Sequence, residues 1–178
     1  MKYLSLLTLA ALFLLTSCGK SGAGDSSANA QADSMKAAYK AMTQAWDDSK
    51  TEEFDKYMSA DYKSHNAMVG YEGLEGAKRM NKDLKAGFPD MKTTIEDMRV
   101  DGDILMVRAR ITGTNSGSMM GGPATNKPMD VVSIEMNRWH NGKFVESWFA
   151  MEEMKMLGQL GVMPPMDAMM ADTTKKPM

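Results

Sequence analysis

The chain is 178 residues long, carries a formal net charge of −2, and contains one cysteine and two histidines. A near-balanced charge with no Lys/Arg-rich run excludes a nucleic-acid partner held by electrostatics, and a lone cysteine excludes an intramolecular disulfide. His65 and His140 are too far apart to offer metal-ligand spacing and no cofactor motif occurs, so neither metal nor cofactor is expected.

The first residues read as an address. Met1-Lys2 is a positive start, residues 3–14 are an apolar run, and Leu15-Thr16-Ser17-Cys18 matches the bacterial lipobox, whose cysteine is lipidated and becomes the new N-terminus. The apolar run falls short of the about 20 residues a membrane-spanning helix needs. Residues 1–17 are therefore expected to be a lipoprotein signal peptide, with acyl chains on Cys18 as the membrane contact in the bacterial cell envelope. The absence of Asp after that cysteine, where Gly19 stands, fits the outer membrane. Residues 18–33 lack apolar bulk and read as the lipidated cysteine and a flexible tether.

Residues 34–161 read as one domain with one core. Met35, Ala38, Tyr39, Met42, Ala45 and Trp46 recur at helical spacing behind the N-cap candidates Asp33-Ser34. A shorter helix carrying Phe54, Tyr57 and Met58 follows, and residues 61–66 lead into a loop through Gly70 and Gly73. A third helix spans 74–86 and stops at Gly87-Phe88-Pro89. The pattern then changes to strands at 93–100 and 104–114, a glycine-rich loop at 115–128, and strands at 130–140 and 143–149, before a short helix ending at Gly161. Helices first and strands afterwards predict an α+β fold, with a mainly antiparallel sheet wrapped on the helices. Residues 162–178, rich in Met and Pro, read as a flexible tail.

The last hairpin organises the functional reading. Asn141-Gly142 fits a two-residue type I′ turn, or a three-residue loop with His140 in which Gly142 is left-handed. The three-residue register puts Val131, Ser133, Glu135, Val145, Ser147 and Phe149 on one face, and Val132, Ile134, Met136, Phe144 and Trp148 on the other. Both faces carry apolar side chains. One is expected to cover the core or a cavity, the other to pack on a second subunit, a possible homodimer.

Tyr62-x-x-His65, Gly73-x-x-Gly76, Phe88-Pro89-Asp90, Gly102-Asp103, Arg108, Gly113-Thr114, Asn141-Gly142-Lys143, Glu146-x-Trp148 and Gln159-Leu160-Gly161 follow one another between residues 35 and 161. In that order they resemble the SnoaL-like polyketide cyclase (ester cyclase) branch of the nuclear-transport-factor-2-like superfamily. The resemblance implies a cone, in which a curved antiparallel sheet wraps three helices, with a pocket at its open end and frequent dimerisation through the outer sheet face. It favours the three-residue turn. It also implies a proton-moving carboxylate on the last strand and a histidine on the strand before, positions held here by Phe149 and Glu135. Phenylalanine cannot exchange a proton, so the cyclase mechanism lacks its principal group. The family's Gly-Thr-His segment reads Gly113-Thr114-Asn115 instead.

The resemblance further implies that Tyr62, His65, Glu135 and Glu152 surround the pocket. A carboxylate in an apolar pocket has its pKa raised, which suits acid–base work. Glu135 is the candidate for that role, or else it pairs with Arg108 or Arg110 and satisfies the core. His65 either lines the pocket or bonds a backbone carbonyl at a helix end. The function expected first is a lipid-anchored binder of a small hydrophobic molecule, contacted by Tyr62, His65, Ser147 and Phe149. An acid–base enzyme of ester cyclase, isomerase or hydrolase type, using Glu135 or Glu152 with His65, is the alternative, and a protein-interaction scaffold is a third. The 21 methionines crowd toward Met151, Met154, Met156, Met163, Met166, Met169 and Met170. They admit Cu(I) binding by thioethers, or the filling of irregular core space.

Overall fold

The computed structural model describes residues 23–65, 70–119 and 121–163. The leader, Cys18 and the tail methionines from Met166 onward lie outside the described residues. Helix α1 (Ala23–Asp47) buries Met35, Tyr39 and Ala45 on one stripe, as their spacing predicts. It begins inside the stretch expected to be a flexible tether. Ser26 to Ala30 are exposed there, so this extension adds no core. It propagates upstream from a packed helix, where each further residue needs no new nucleus. The Gln31 side-chain amide steadies it by donating to the Gly102 carbonyl.

A 3₁₀ turn (Thr51–Glu53) leads into α2 (Phe54–Tyr57), whose Phe54 is fully buried and stacks on Trp46. Strand β1 (Met58–Ser64) follows where a loop was expected. It is an edge strand with many exposed residues, so the alternation that betrays a strand is faint in its sequence. Then come α3 (Gly73–Gly87), β2 (Lys92–Asp101), β3 (Ile104–Thr114), β4 (Pro128–His140), β5 (Lys143–Met151) and α4 (Glu153–Leu160). One sheet forms in the order β1-β5-β4-β3-β2, antiparallel except for the parallel pair β1–β5. The fold is α+β, with a mixed sheet packed on helices.

The hairpin resolves the register. His140 pairs with Lys143, which leaves Asn141 and Gly142 as a two-residue turn with φ of 48° and 80°, the type I′ form. The register then slips: Trp139 faces Phe144 and Arg138 faces Glu146, so Val145 is the inserted residue of a β-bulge. That bulge makes the parity change that the longer turn was expected to make. Ser147 and Phe149 therefore share the face of Glu135, as expected. Phe144, expected outside, is fully buried inside. There it meets Tyr39 and Trp139 edge-on at ring distances of 6.1 and 4.9 Å.

Two apolar clusters line the inner face. Met35, Tyr39, Leu105, Val107, Ala109 and Phe144 form one, beside the hairpin turns. Phe88, Met91, Met129, Val131 and Leu160 form the other, with Trp46, Met119 and Met156 against it. Many methionines are thus core fillers, consistent with a flexible thioether fitting irregular gaps.

Candidate functional site

Alongside the first cluster β4 presents Ser133, Glu135 and Asn137 along its inner face. On β5 their cross-strand partners are Met151, Phe149 and Ser147, and on β3 they are Ala109, Val107 and Leu105. Glu135 therefore sits in a row between Val107 and Phe149. Tyr39 crosses from α1, and its hydroxyl donates to Glu135 Oε2 at 2.7 Å. Tyr62 crosses from β1 and shares a hydrogen bond with Ser147 Oγ. Three of the expected contacts, Tyr62, Ser147 and Phe149, are thus brought together with Glu135.

The electrostatics of this centre are unusual. Burial pushes the Glu135 carboxyl above the ordinary glutamate range, while the Tyr39 hydroxyl and the neighbouring Asn137 and Ser133 pull it back. Among the described residues no cation acts on it. Arg108 and Arg110, the partners considered from the sequence, point to the outer face and pair with Glu96 and Asp130. Burial, and then the Glu135 charge, also raise Tyr39 well above a normal phenol. Glu135 keeps partial solvent exposure although it lies deep, which describes the floor of a recess.

The recess is narrow. Shallow, open grooves lie elsewhere, at Met151–Lys155 and between Lys36, Lys40 and β2. Tyr39 and Tyr62 cross the space that the cone was expected to leave open. Sequence reasoning also missed Asn137 as a site residue. Ser133 and Asn137 are 0% and 3% exposed, and among the described residues Ser133 Oγ and Asn137 Nδ2 close no hydrogen bond, although both lie near enough to Glu135 to lower its pKa. The signal was available, since both lie two positions from Glu135 on an otherwise apolar strand face.

Two expected residues are elsewhere. Ser64 pairs with Ser147 on the inner side, so the next residue, His65, turns outward. Its ring stacks on Trp148 at 4.5 Å and 5°, with Nε2 3.7 Å from Glu146 Oε1. His65 belongs to the outer face and cannot serve Glu135. Glu152 sits where β5 passes into α4. Its Oε2 accepts from the Val132 backbone N–H and from Lys155, and Lys155 first of all lowers its pKa. It is exposed and ends the β4–β5 ladder, apart from the Glu135 row.

Around His65 the outer face carries Met106, Met136 and Trp148 as direct cross-strand neighbours. Ile134 and Met136 are 52% and 40% exposed. Ion pairs flank this apolar row: Arg138 binds Glu146 and Asp103, and Arg110 binds Glu96 and Asp130.

Residues 36–160 match the SnoaL-like polyketide cyclase family. Among solved structures, wild-type IdmH from Streptomyces antibioticus is 26% identical with a TM-score of 0.64, over 71% of this chain and 98% of that one. TsrD from Streptomyces laurentii is 22% identical with a TM-score of 0.68, over 74% and 97%. A SnoaL-like polyketide cyclase from Agrobacterium tumefaciens is 17% identical with a TM-score of 0.61, over 71% and 98%. The last two share the fold. No functionally curated protein is detectably similar to the chain.

Proposed function

We propose that this chain, which belongs to the SnoaL-like polyketide cyclase family, binds a small, largely apolar molecule on the inner sheet face and engages one polar group of it through Glu135. The observation that carries this reading is a desolvated carboxyl with no cation beside it among the described residues, bonded by the Tyr39 hydroxyl and flanked by Asn137 and Ser133. A buried acid that is not ion-paired adds nothing to the core that an apolar residue would not supply at lower cost. Tyr62, Ser147 and Phe149 form the adjoining wall.

A second reading has its own support. The family places its proton-moving carboxylate at the position of Phe149, and Glu135 stands directly across the ladder from it. Burial has raised its pKa, the direction a general acid or base needs. In this reading Glu135 exchanges a proton with the ligand, in an ester cyclase, isomerase or hydrolase type of reaction, with Tyr39 holding its carboxyl in place. Glu135→Gln separates the two readings. As a binder the protein retains its co-purifying ligand, read by native mass spectrometry. As an enzyme it keeps the ligand but loses about 100-fold or more of its turnover.

We further propose that Cys18 is lipidated and holds the domain at the bacterial envelope, the outer membrane in organisms that have one. No helix among the described residues is long and apolar enough to cross a membrane. The Met106–Met136–Trp148 row is proposed as a homodimer face. Its flanking charges are already paired within the chain, which suits a second copy better than a charged partner.

A further inference from the structure

We infer that Asn137 and Ser133 are the specificity-determining residues of this recess, and that together with Glu135 they select an uncharged ligand bearing a carbonyl oxygen over its carboxylate counterpart. This deepens the small-molecule reading above and rests on it. Asn137 Nδ2 can only donate, and the Ser133 hydroxyl can donate; both are buried, both lie near enough to the Glu135 carboxyl to lower its pKa, and among the described residues neither closes a hydrogen bond. Glu135 already accepts from Tyr39 on one oxygen. In its protonated form the other oxygen becomes a donor as well.

The three side chains alternate along one strand face, about 7 Å apart from one to the next. A ligand oxygen between Asn137 and Glu135 completes a pair of bonds that the protein leaves open. A buried donor is unfavourable until something accepts from it, so the ligand that supplies an acceptor is favoured over one that does not. The charge of that acceptor is restricted too. Among the described residues no cation acts on Glu135, and Tyr39 and Tyr62 beside it are neutral phenols raised by burial. A carboxylate ligand would lie against an acidic residue with no positive charge to offset it, whereas a ketone, ester or amide oxygen would not.

The test uses the purified protein and three small probes of one shape: acetophenone, ethylbenzene and benzoate. Binding is followed by saturation-transfer NMR and by the side-chain NH₂ resonances of Asn137 at neutral pH. Acetophenone is expected to bind at least about tenfold more tightly than either other probe and to move the Asn137 resonances. In Asn137→Leu the advantage over ethylbenzene disappears while ethylbenzene still binds. Asn137→Asp, closer in shape, serves if the leucine variant does not fold. Equal affinity for acetophenone and ethylbenzene, or benzoate binding as tightly as acetophenone, overturns the inference and leaves the small-molecule reading standing. Asn137 resonances unmoved by saturating acetophenone overturn it also. If none of the three probes binds, the reading on which it rests falls with it.

Discussion

Replacing Glu135 by glutamine changes one atom and should reveal the state of the carboxyl through the pH dependence of stability. Glutamine is isosteric and its Oε1 still accepts from the Tyr39 hydroxyl, so the contact of 2.7 Å seen in the parent is retained. Burial raises the folded-state pKa of Glu135 above its unfolded value. Below the unfolded pKa, about 4.3, the group is protonated in both states and costs nothing. Above it the unfolded chain releases the proton while the folded chain keeps it. Stability therefore falls as pH rises through that window, by at most about 1.4 kcal/mol per pH unit for one proton. Beyond the folded pKa the loss levels off. The glutamine variant carries no such loss, so its advantage over the parent should grow from pH 4 upward and reach a plateau. Urea unfolding of both proteins across pH 4 to 8, at fixed salt, measures that difference directly. A difference that is flat with pH, or that shrinks as pH rises, refutes the picture of a desolvated carboxyl without a cation.

Other expectations follow from single contacts. Asn115 closes the base of the β3–β4 loop through side-chain bonds to Gly87 O, Gly117 O and the Thr125 N–H, at 3.2, 3.0 and 2.8 Å. At about 1 kcal/mol net for each bond, Asn115→Ala should cost about 3 kcal/mol in urea unfolding; a loss below about 1 kcal/mol would show that the loop holds itself. Met136→Glu puts a charge in the centre of the outer apolar row and should turn a dimer into a monomer by light scattering. A parent protein that is already monomeric at high concentration removes the dimer proposal. Cys18→Ser should abolish incorporation of labelled palmitate and release the protein from the membrane fraction, and unchanged labelling would end the lipoprotein reading.

Long elements with a clear period were legible before any coordinates. Strand β3 was expected at 104–114 and is Ile104–Thr114, since its alternation continues into a buried inner column of Leu105, Val107 and Ala109. β1 was not legible, because an edge strand leaves much of its length in water and its partner lies at the far end of the sequence. The same omission misplaced His65. Without the Ser64–Ser147 register, nothing in the sequence states which face follows. The inward face of Glu135 and Phe149 was anticipated, but through the wrong device, a longer turn in place of a tight turn and a bulge at Val145. A bulge changes strand parity without any glycine or proline to announce it. Glu152 and Arg108 show a different limit, because which cation meets which carboxylate depends on sheet faces that sequence spacing alone does not assign.

The parallel attachment of β1 bears on how the molecule assembles. Neighbours from β2 to β5 are consecutive in the chain and can zip as successive hairpins, whereas β1 must wait for β5 to be in place. Closing so long a loop is entropically slow compared with hairpin formation. The Tyr62–Ser147 link should thus be among the last to form, and a nascent chain still lacking its final strand would carry Glu135 on a sheet with one wall missing.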